Sequence, residues 1–404
     1  MKNRTVAAID VGTTKVCTVV ADLNEGGAPR IVGVGIAKSV GLHKGLVVNI
    51  NEARESIKES VRKAEQSSNY KVESAYVGVT GRHITSLNNR GVVAITRNDR
   101  VVRTDDLRRV LSSAQSVKVP GDRKLLHVIP RSYAVDGQAH VKNPIGMHCF
   151  RLDVETHVIT AAVTSIQNLI KCIRSIGIDI EDLVLEPLAS SEAILTPDEK
   201  EVGVILADIG GGTTDIAVFK EGSIWHTSIL PVAGYQLTRD VSIGLGLPFD
   251  VAEEMKKRYG SVMPVYESKT EDTAAISQDG HGVSYQDLCD IIRARVEEIL
   301  KLIMLELPNS EYETLVPAGL VLTGGSSNLA GISTLGRDIL QLPVRVGAPS
   351  NMEGISDALC DPAYATSVGL LAWGVSHERS SNWTRWNFGS ALKRLAFRMK
   401  SLFS

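Results

Sequence analysis

The chain of 404 residues has only five cysteines, Cys17, Cys149, Cys172, Cys289 and Cys360, and no CxxC pair among them. Scattered thiols, several inside apolar runs, argue against a disulfide framework or a zinc site and suit a reducing compartment. The nine histidines show no metal-ligand spacing. Net charge is also scarce, at -2 from 44 basic and 46 acidic residues, so the bulk surface does not point to nucleic acid. No apolar run approaches the roughly 20 residues of a spanning helix. A signal peptide is not expected, because the apolar run after Met1-Lys2-Asn3-Arg4 is stopped by Asp10. Composition carries no disorder signature, and the length allows two domains or more.

What is present centres on Asp208-Ile209-Gly210-Gly211-Gly212-Thr213-Thr214-Asp215, framed by the apolar runs Val202 to Ala207 and Ile216 to Phe219. It reads as strand, tight turn, strand. Glycine lets a ligand approach the backbone, and successive N–H groups in such a turn form an anion nest. A carboxylate beside a polyphosphate needs a cation between them, so Asp208 or Asp215 implies Mg²⁺ held through water. The plainer alternative is a glycine-rich hairpin, which does not need three glycines framed by acids. A second copy stands at Asp10-Val11-Gly12-Thr13-Thr14-Lys15. Aligned on Thr-Thr followed by a charge, the later copy carries two extra glycines. Two such turns half a chain apart suggest a duplicated unit whose lobes share one ligand.

Asn51 is placed to cap a helix through about Ser67, with Ala53, Ile57, Val61 and Ala64 on one face. From about Ile84 to Thr160 the pattern changes to alternating strands with one helix after Thr104. Arg90, Arg97, Arg100, Arg103, Arg108 and Arg109 cluster there, as a solvated face or a protein-contact surface. Glu186-Pro187 fixes an acid at a strand-to-helix turn. It can orient a water toward a γ-phosphate or act simply as an N-cap acid. Glu253 and Lys256 share one face of a helix over Phe249 to Tyr259, and Thr323-Gly324-Gly325-Ser326 forms a third glycine turn.

In this order, the five elements resemble the phosphate, connecting and adenosine motifs of the actin, Hsp70 and sugar-kinase superfamily. Within it the chain is similar to the bacterial cell-division FtsA family. His127-Val128-Ile129-Pro130, Lys142-Asn143-Pro144-Ile145-Gly146-Met147, His157-Val158-Ile159-Thr160 and the C-terminal tail carry that likeness. It implies an α/β, duplicated actin-like (ribonuclease H-like) two-lobed ATPase fold. Lobe 1 would comprise residues 1–83 and 162–197, interrupted by an FtsA-type subdomain at 84–161. Lobe 2 would comprise 198–233 and 309–361, interrupted by a second subdomain at 234–308. A return helix at 362–378, a linker at 379–387 and an amphipathic helix at 388–404 would follow.

The resemblance also implies roles. Asp10, Gly12, Thr13, Thr14 and Lys15 would meet the β- and γ-phosphates of ATP, and Gly210, Gly211, Gly212, Thr213 and Thr214 would wrap them, with Asp215 at the same turn. Asp208 would hold Mg²⁺ through water, and Glu186 would orient the hydrolytic water. Glu253 and Lys256 would contact ribose or adenine, and Gly324, Gly325 and Ser326 would pack on the adenosine. The family anchors the tubulin-like polymer FtsZ to the inner membrane, self-associates into filaments and recruits later division proteins. Its second-lobe subdomain docks the FtsZ C-terminal tail, which here points to Arg295 and Glu298.

On its own terms the tail reads as a helix from Gly389 to Ser404. Phe388, Leu392, Leu395, Met399, Leu402 and Phe403 fall on one arc, with Lys393, Arg394, Arg398 and Lys400 beside it. No acid follows Glu378, and Trp383 and Trp386 precede the helix. A basic, amphipathic helix with aromatics marks an interfacial anchor on anionic lipid. A helix docked on the body would be expected to carry both charge signs. A small-molecule kinase of the same fold would need a base and an acceptor pocket that no further acid suggests. An Hsp70-type chaperone would continue into a substrate domain. A related ATP-binding protein of pilus assembly shares the early insertion but not the basic tail. Tight ATP binding with at most slow turnover is the expectation.

Overall fold

Short apolar runs separated by glycine-framed turns build two five-stranded sheets of the same topology. A computed structural model describes residues 4–23, 29–116, 119–263, 275–278, 281–307, 316–350, 352–354 and 357–379. In the first sheet Asp179–Leu185, Ser74–Val79, Arg4–Val11, Lys15–Leu23 and Arg30–Lys38 lie side by side in that order. In the second the order is Ser223–Leu230, Thr214–Lys220, Val204–Ile209, Leu320–Thr323 and Val344–Val346. Each begins as an antiparallel meander and continues with parallel strands on the far side of its first strand. The central strands are apolar runs up to the acid near their ends because both of their faces are covered; every residue of Val204–Ile209, Asp208 included, is buried.

The hairpin registers correct one reading. Asp10 pairs with Cys17 and Val11 with Val16, while Asp208 pairs with Asp215 and Ile209 with Thr214. The two turns are therefore equally long, and the two extra glycines of the later copy are replacements and not insertions. Gly211 and Gly212 replace Thr13 and Thr14, and Thr213 replaces Lys15. A second correction concerns the first long helix, Ile50–Ser68. Its cap is Asn49, whose side chain accepts from the N–H groups of Asn51 and Glu52, so Asn51 lies inside the first turn. The face Ala53, Ile57, Val61 and Ala64 is buried against the first sheet.

Helices Glu186–Ile194 and Ala365–Arg379 cross between the two sheets. They approach so closely that a Cβ on Gly369 would lie 1.9 Å from the Ala189 carbonyl oxygen. Three helices, Gly234–Leu245, Phe249–Tyr259 and Tyr285–Leu305, stand on the second lobe around Leu237, Met255, Leu288, Ile292 and Val296.

The insertion in the first lobe is a four-stranded sheet ordered Ile84–Ala94, Arg151–Ala162, Arg123–Val135, Gln138–Val141, with helix Thr104–Gln115 packed on it. Its core is small and separate, around Ile95, Leu107, Val110, Leu152 and Val154. The arginines there are largely paired: Arg97 and Arg109 with buried Asp106, Arg103 with Asp99, Arg108 with Asp105, and Arg90 with Asp153. This subdomain also rests on the other lobe. His157, only 1% exposed, bonds Thr227 Oγ1 at 2.9 Å, and Arg131 lies 4.1 Å over the Trp225 ring. Ser86 Oγ and Asn88 Nδ2 donate to the carbonyls of Thr227 and Trp225.

Candidate functional site

The sheet topology brings the two turns to one cleft, each at the end of its lobe's first strand. They are fitted to each other. A Cβ on Gly211 would lie 2.2 Å from Thr14 Oγ1, and one on Gly212 would lie 2.6 Å from Thr13 Oγ1. The glycines of the second turn thus answer the threonines of the first. Gly210 N donates to Thr213 O at 3.0 Å and closes the second turn.

Four buried carboxylates stand behind the turns: Asp10, Glu186, Asp208 and Asp215. Hydroxyls from distant elements hold three of them. Ser367 donates to Asp10 at 2.8 Å. Ser190 and Thr366 donate to Asp208 at 2.8 and 3.1 Å. Thr213 at 3.0 Å and Thr80 by a short bond donate to Asp215. Burial raises all four above the ordinary carboxylate range. Hydroxyl bonds pull against that rise at the aspartates. Asp215 is pushed up to about 7, with Asp208 and Asp10 adding to its burial. Glu186 rises well above its usual value, because repulsion from Asp10, Asp215 and Asp208 adds to burial. A cluster in this state is a site for positive charge. Among the described residues no three carboxylates, histidines or cysteines converge as direct metal ligands. Carboxylate oxygens are the donors that a hard divalent cation takes.

Lys15 stands close enough to the acids for its charge to oppose the rise at Asp10, Glu186 and Asp208. Its ammonium donates to the Ala363 carbonyl and lies 4.5 Å over the Tyr364 ring. On the second-lobe side, Lys256 is buried and bonds Glu253 at 2.7 Å, Thr238 Oγ1 at 2.8 Å and the Gly234 carbonyl at 3.3 Å. Burial lowers the lysine; at Glu253 burial pushes upward, but Lys256, Thr238 and Lys257 together outweigh it and lower the carboxyl. Gly234 N and Tyr235 N donate to the carbonyls of Gly210 and Gly211, which ties this helical unit to the second turn. The third glycine turn closes the same side. A Cβ on Gly324, at φ 84°, would lie 2.4 Å from Asp208 Oδ1. Gly325 opens the short helical turn Gly325–Asn328, and Ser326 Oγ donates to Gly210 O at 3.1 Å.

The structure thus brings the two phosphate-type turns, the four acids, the Glu253–Lys256 pair and the third turn into one locality. Arg295 and Glu298 lie on Tyr285–Leu305, where Arg295 pairs with both Glu298 and Asp240. Trp386, Phe388, Leu392, Lys393, Arg394, Leu395, Arg398, Met399, Lys400, Leu402 and Phe403 lie outside the described residues. Thr80, Ser190, Thr366 and Ser367 are site residues that the motifs did not reveal. The available signal was hydroxyls set in otherwise apolar, small-residue stretches.

Comparison with known proteins follows the same outline. The family model described as cell division protein FtsA matches residues 205–369, and the model of the SHS2 domain inserted in FTSA matches residues 81–160. Cell division protein FtsA of Pseudomonas aeruginosa is 42% identical over 376 residues, 92% of this chain and 90% of that protein. The Bacillus subtilis protein of the same name is 37% identical over 382 residues, covering 93% and 85%. Among solved structures, a PilM–PilN type IV pilus biogenesis complex aligns at TM-score 0.65 and 16% identity, covering 92% of this chain and 98% of the other. MreB 5 of Spiroplasma citri bound to AMPPNP aligns at 0.56 and 14%, covering 95% and 99%. The MamK double helical filament aligns at 0.54 and 16%, covering 92% and 99%. These structural likenesses show a two-lobed, actin-like fold.

Proposed function

The chain belongs to the FtsA family of cell division proteins, and from that premise we propose that it is an ATP-binding scaffold on the cytoplasmic face of the inner membrane. In this reading it self-associates as actin-like proteins do, holds FtsZ polymers through their C-terminal tail and recruits later division proteins. The observation that carries the nucleotide part is the pair of interlocked turns backed by four buried acids.

Asp10, Gly12, Thr13, Thr14 and Lys15 would receive the β- and γ-phosphates from one side and Gly210 to Thr214 from the other. Gly324 to Ser326 and the Glu253–Lys256 pair would flank the nucleoside. A bound Mg²⁺ would supply the positive charge that offsets the acids and the phosphates, and Asp208 would hold it through water. Glu186, whose carboxyl is pushed well above its usual range by burial and by the neighbouring acids, would orient a water toward the γ-phosphate. In this reading ATP turnover is at most slow and scaffold action is favoured over catalysis.

Membrane attachment rests on the tail. Each basic residue near an anionic leaflet contributes roughly 1 kcal/mol, and each fully buried large apolar side chain roughly 1.5–3 kcal/mol. Ordering the helix offsets much of this. One tail binds reversibly, and several tails on a filament bind tightly. Deleting residues 386–404 is expected to abolish co-sedimentation with anionic vesicles and leave ATP binding intact; a truncated chain that still pellets refutes the anchor. Pull-down of FtsZ with and without its C-terminal tail tests the partner, and binding that ignores the tail refutes the docking. Charge reversal at Arg295 and Glu298 locates the surface.

A further inference from the structure

Lys44 sits in a two-residue hairpin turn between Leu42–His43 and Leu46–Val47. Both central residues have positive φ, 48° at Lys44 and 74° at Gly45. In this geometry asparagine, aspartate or glycine is the favoured first residue. A lysine there disagrees with its own backbone, and such disagreements concentrate where a side chain has a task.

The turn is seated between the two phosphate-type turns. Gly45 N donates to Thr13 Oγ1 at 3.2 Å, and a Cβ on Gly212 would lie 3.0 Å from Lys44 Cα. Gly45 also lines a small cavity whose wall includes Thr80 and Glu186. A lysine ammonium reaches about 6 Å from its Cα, so from this position Lys44 covers any group held across both turns. Charge points the same way. Four buried acids face the cleft, and Lys15, whose charge offsets only part of the rise at Asp10, Glu186 and Asp208, has its ammonium held by Ala363 and Tyr364. Among the described residues Lys44 Nζ has no hydrogen bond or ion pair.

We propose that Lys44 is the cation that reads the terminal phosphate of a bound nucleoside triphosphate and so separates triphosphate from diphosphate. The inference rests on the cleft being a nucleotide site, and the two ideas fail separately. The full chain is titrated calorimetrically with MgAMPPNP and with MgADP, as wild type, Lys44→Asn and Lys44→Gly. Both substitutions suit positive φ, so the melting temperature is expected to hold or rise. Loss of one charge-assisted phosphate contact is expected to weaken MgAMPPNP about 10- to 100-fold and to change MgADP by less than about threefold. Unchanged MgAMPPNP affinity in either variant, or an equal loss for both nucleotides, overturns the role of Lys44. A wild-type chain that binds neither nucleotide overturns the cleft reading itself.

Discussion

Replacing Gly211 by alanine tests whether the two turns are built to fit one another. The added methyl would lie 2.2 Å from Thr14 Oγ1 and 3.3 Å from Thr14 Cβ. Contact distances for such atoms settle near 3.5 Å, so the turns must part by about 1 Å or Thr14 must leave its rotamer. Overpacking of that size costs about 1–3 kcal/mol. Thr14→Ala removes the colliding oxygen and the nearby Cγ2 while leaving the turn backbone in place. The double variant is therefore expected to be within about 0.5 kcal/mol of Thr14→Ala alone, whereas independent sites would add. Urea unfolding of the four proteins without nucleotide measures the cycle. A second readout is MgADP affinity, expected to fall in Gly211→Ala and to recover partly in the pair. Additive stabilities would refute the interlocking of the turns, and the glycines would then be needed only for backbone geometry.

Two further outcomes follow from the cleft and the helix crossing. Asp215 titrates near 7 in the folded chain, against about 3.9 when unfolded. Between those values the folded chain holds the extra proton, so this group's contribution to stability falls as pH rises from about 4 to about 7. Buried His83 and His157, lowered chiefly by burial to about 4 and about 3, act with the opposite sign. The readout is therefore the difference between Asp215→Asn and wild type, whose melting temperatures are expected to shift in the variant's favour from pH 5 to pH 8; a shift toward wild type refutes the raised carboxyl. Gly369→Ala places a methyl against the Ala189 carbonyl where two helices cross. A loss of roughly 3 kcal/mol or more is expected, seen as lower soluble yield and melting temperature, and wild-type melting would refute the close crossing.

The two turns were legible as turns because their composition is local: Asp, Gly and Thr within eight residues mark a glycine-framed hairpin wherever the chain takes them. Their alignment was not. Matching Thr13-Thr14 to Thr213-Thr214 by identity implied inserted glycines, but hairpin pairing counts backbone positions, and Asp208 opposite Asp215 sets the length. The hydroxyls that hold the acids were also hidden. Ser367 reaches Asp10 across 357 positions of sequence, a contact made by helix crossing and not by spacing. The arginine cluster was half legible: Asp99, Asp105 and Asp106 stand three or four residues from their partners. The placement of Lys44 depended on a tight turn of Lys and Gly, and nothing nearby in sequence links it to Gly212.

The inserted subdomain has a consequence for how this protein can be dissected. Strand Ser223–Leu230 is the outer strand of its sheet, and two of its carbonyls are met by Ser86 and Asn88 from the insertion. Open sheet edges recruit other edges and aggregate. Excising residues 84–161 as a removable cassette would strip that cover along with the Arg131–Trp225 stack. A deletion strain would then mix the loss of a partner with a sticky edge, and its phenotype would overstate the partner. Point substitutions on the far face of the insertion, or a deletion carrying a lysine in the outer strand as a gatekeeper, separate the two.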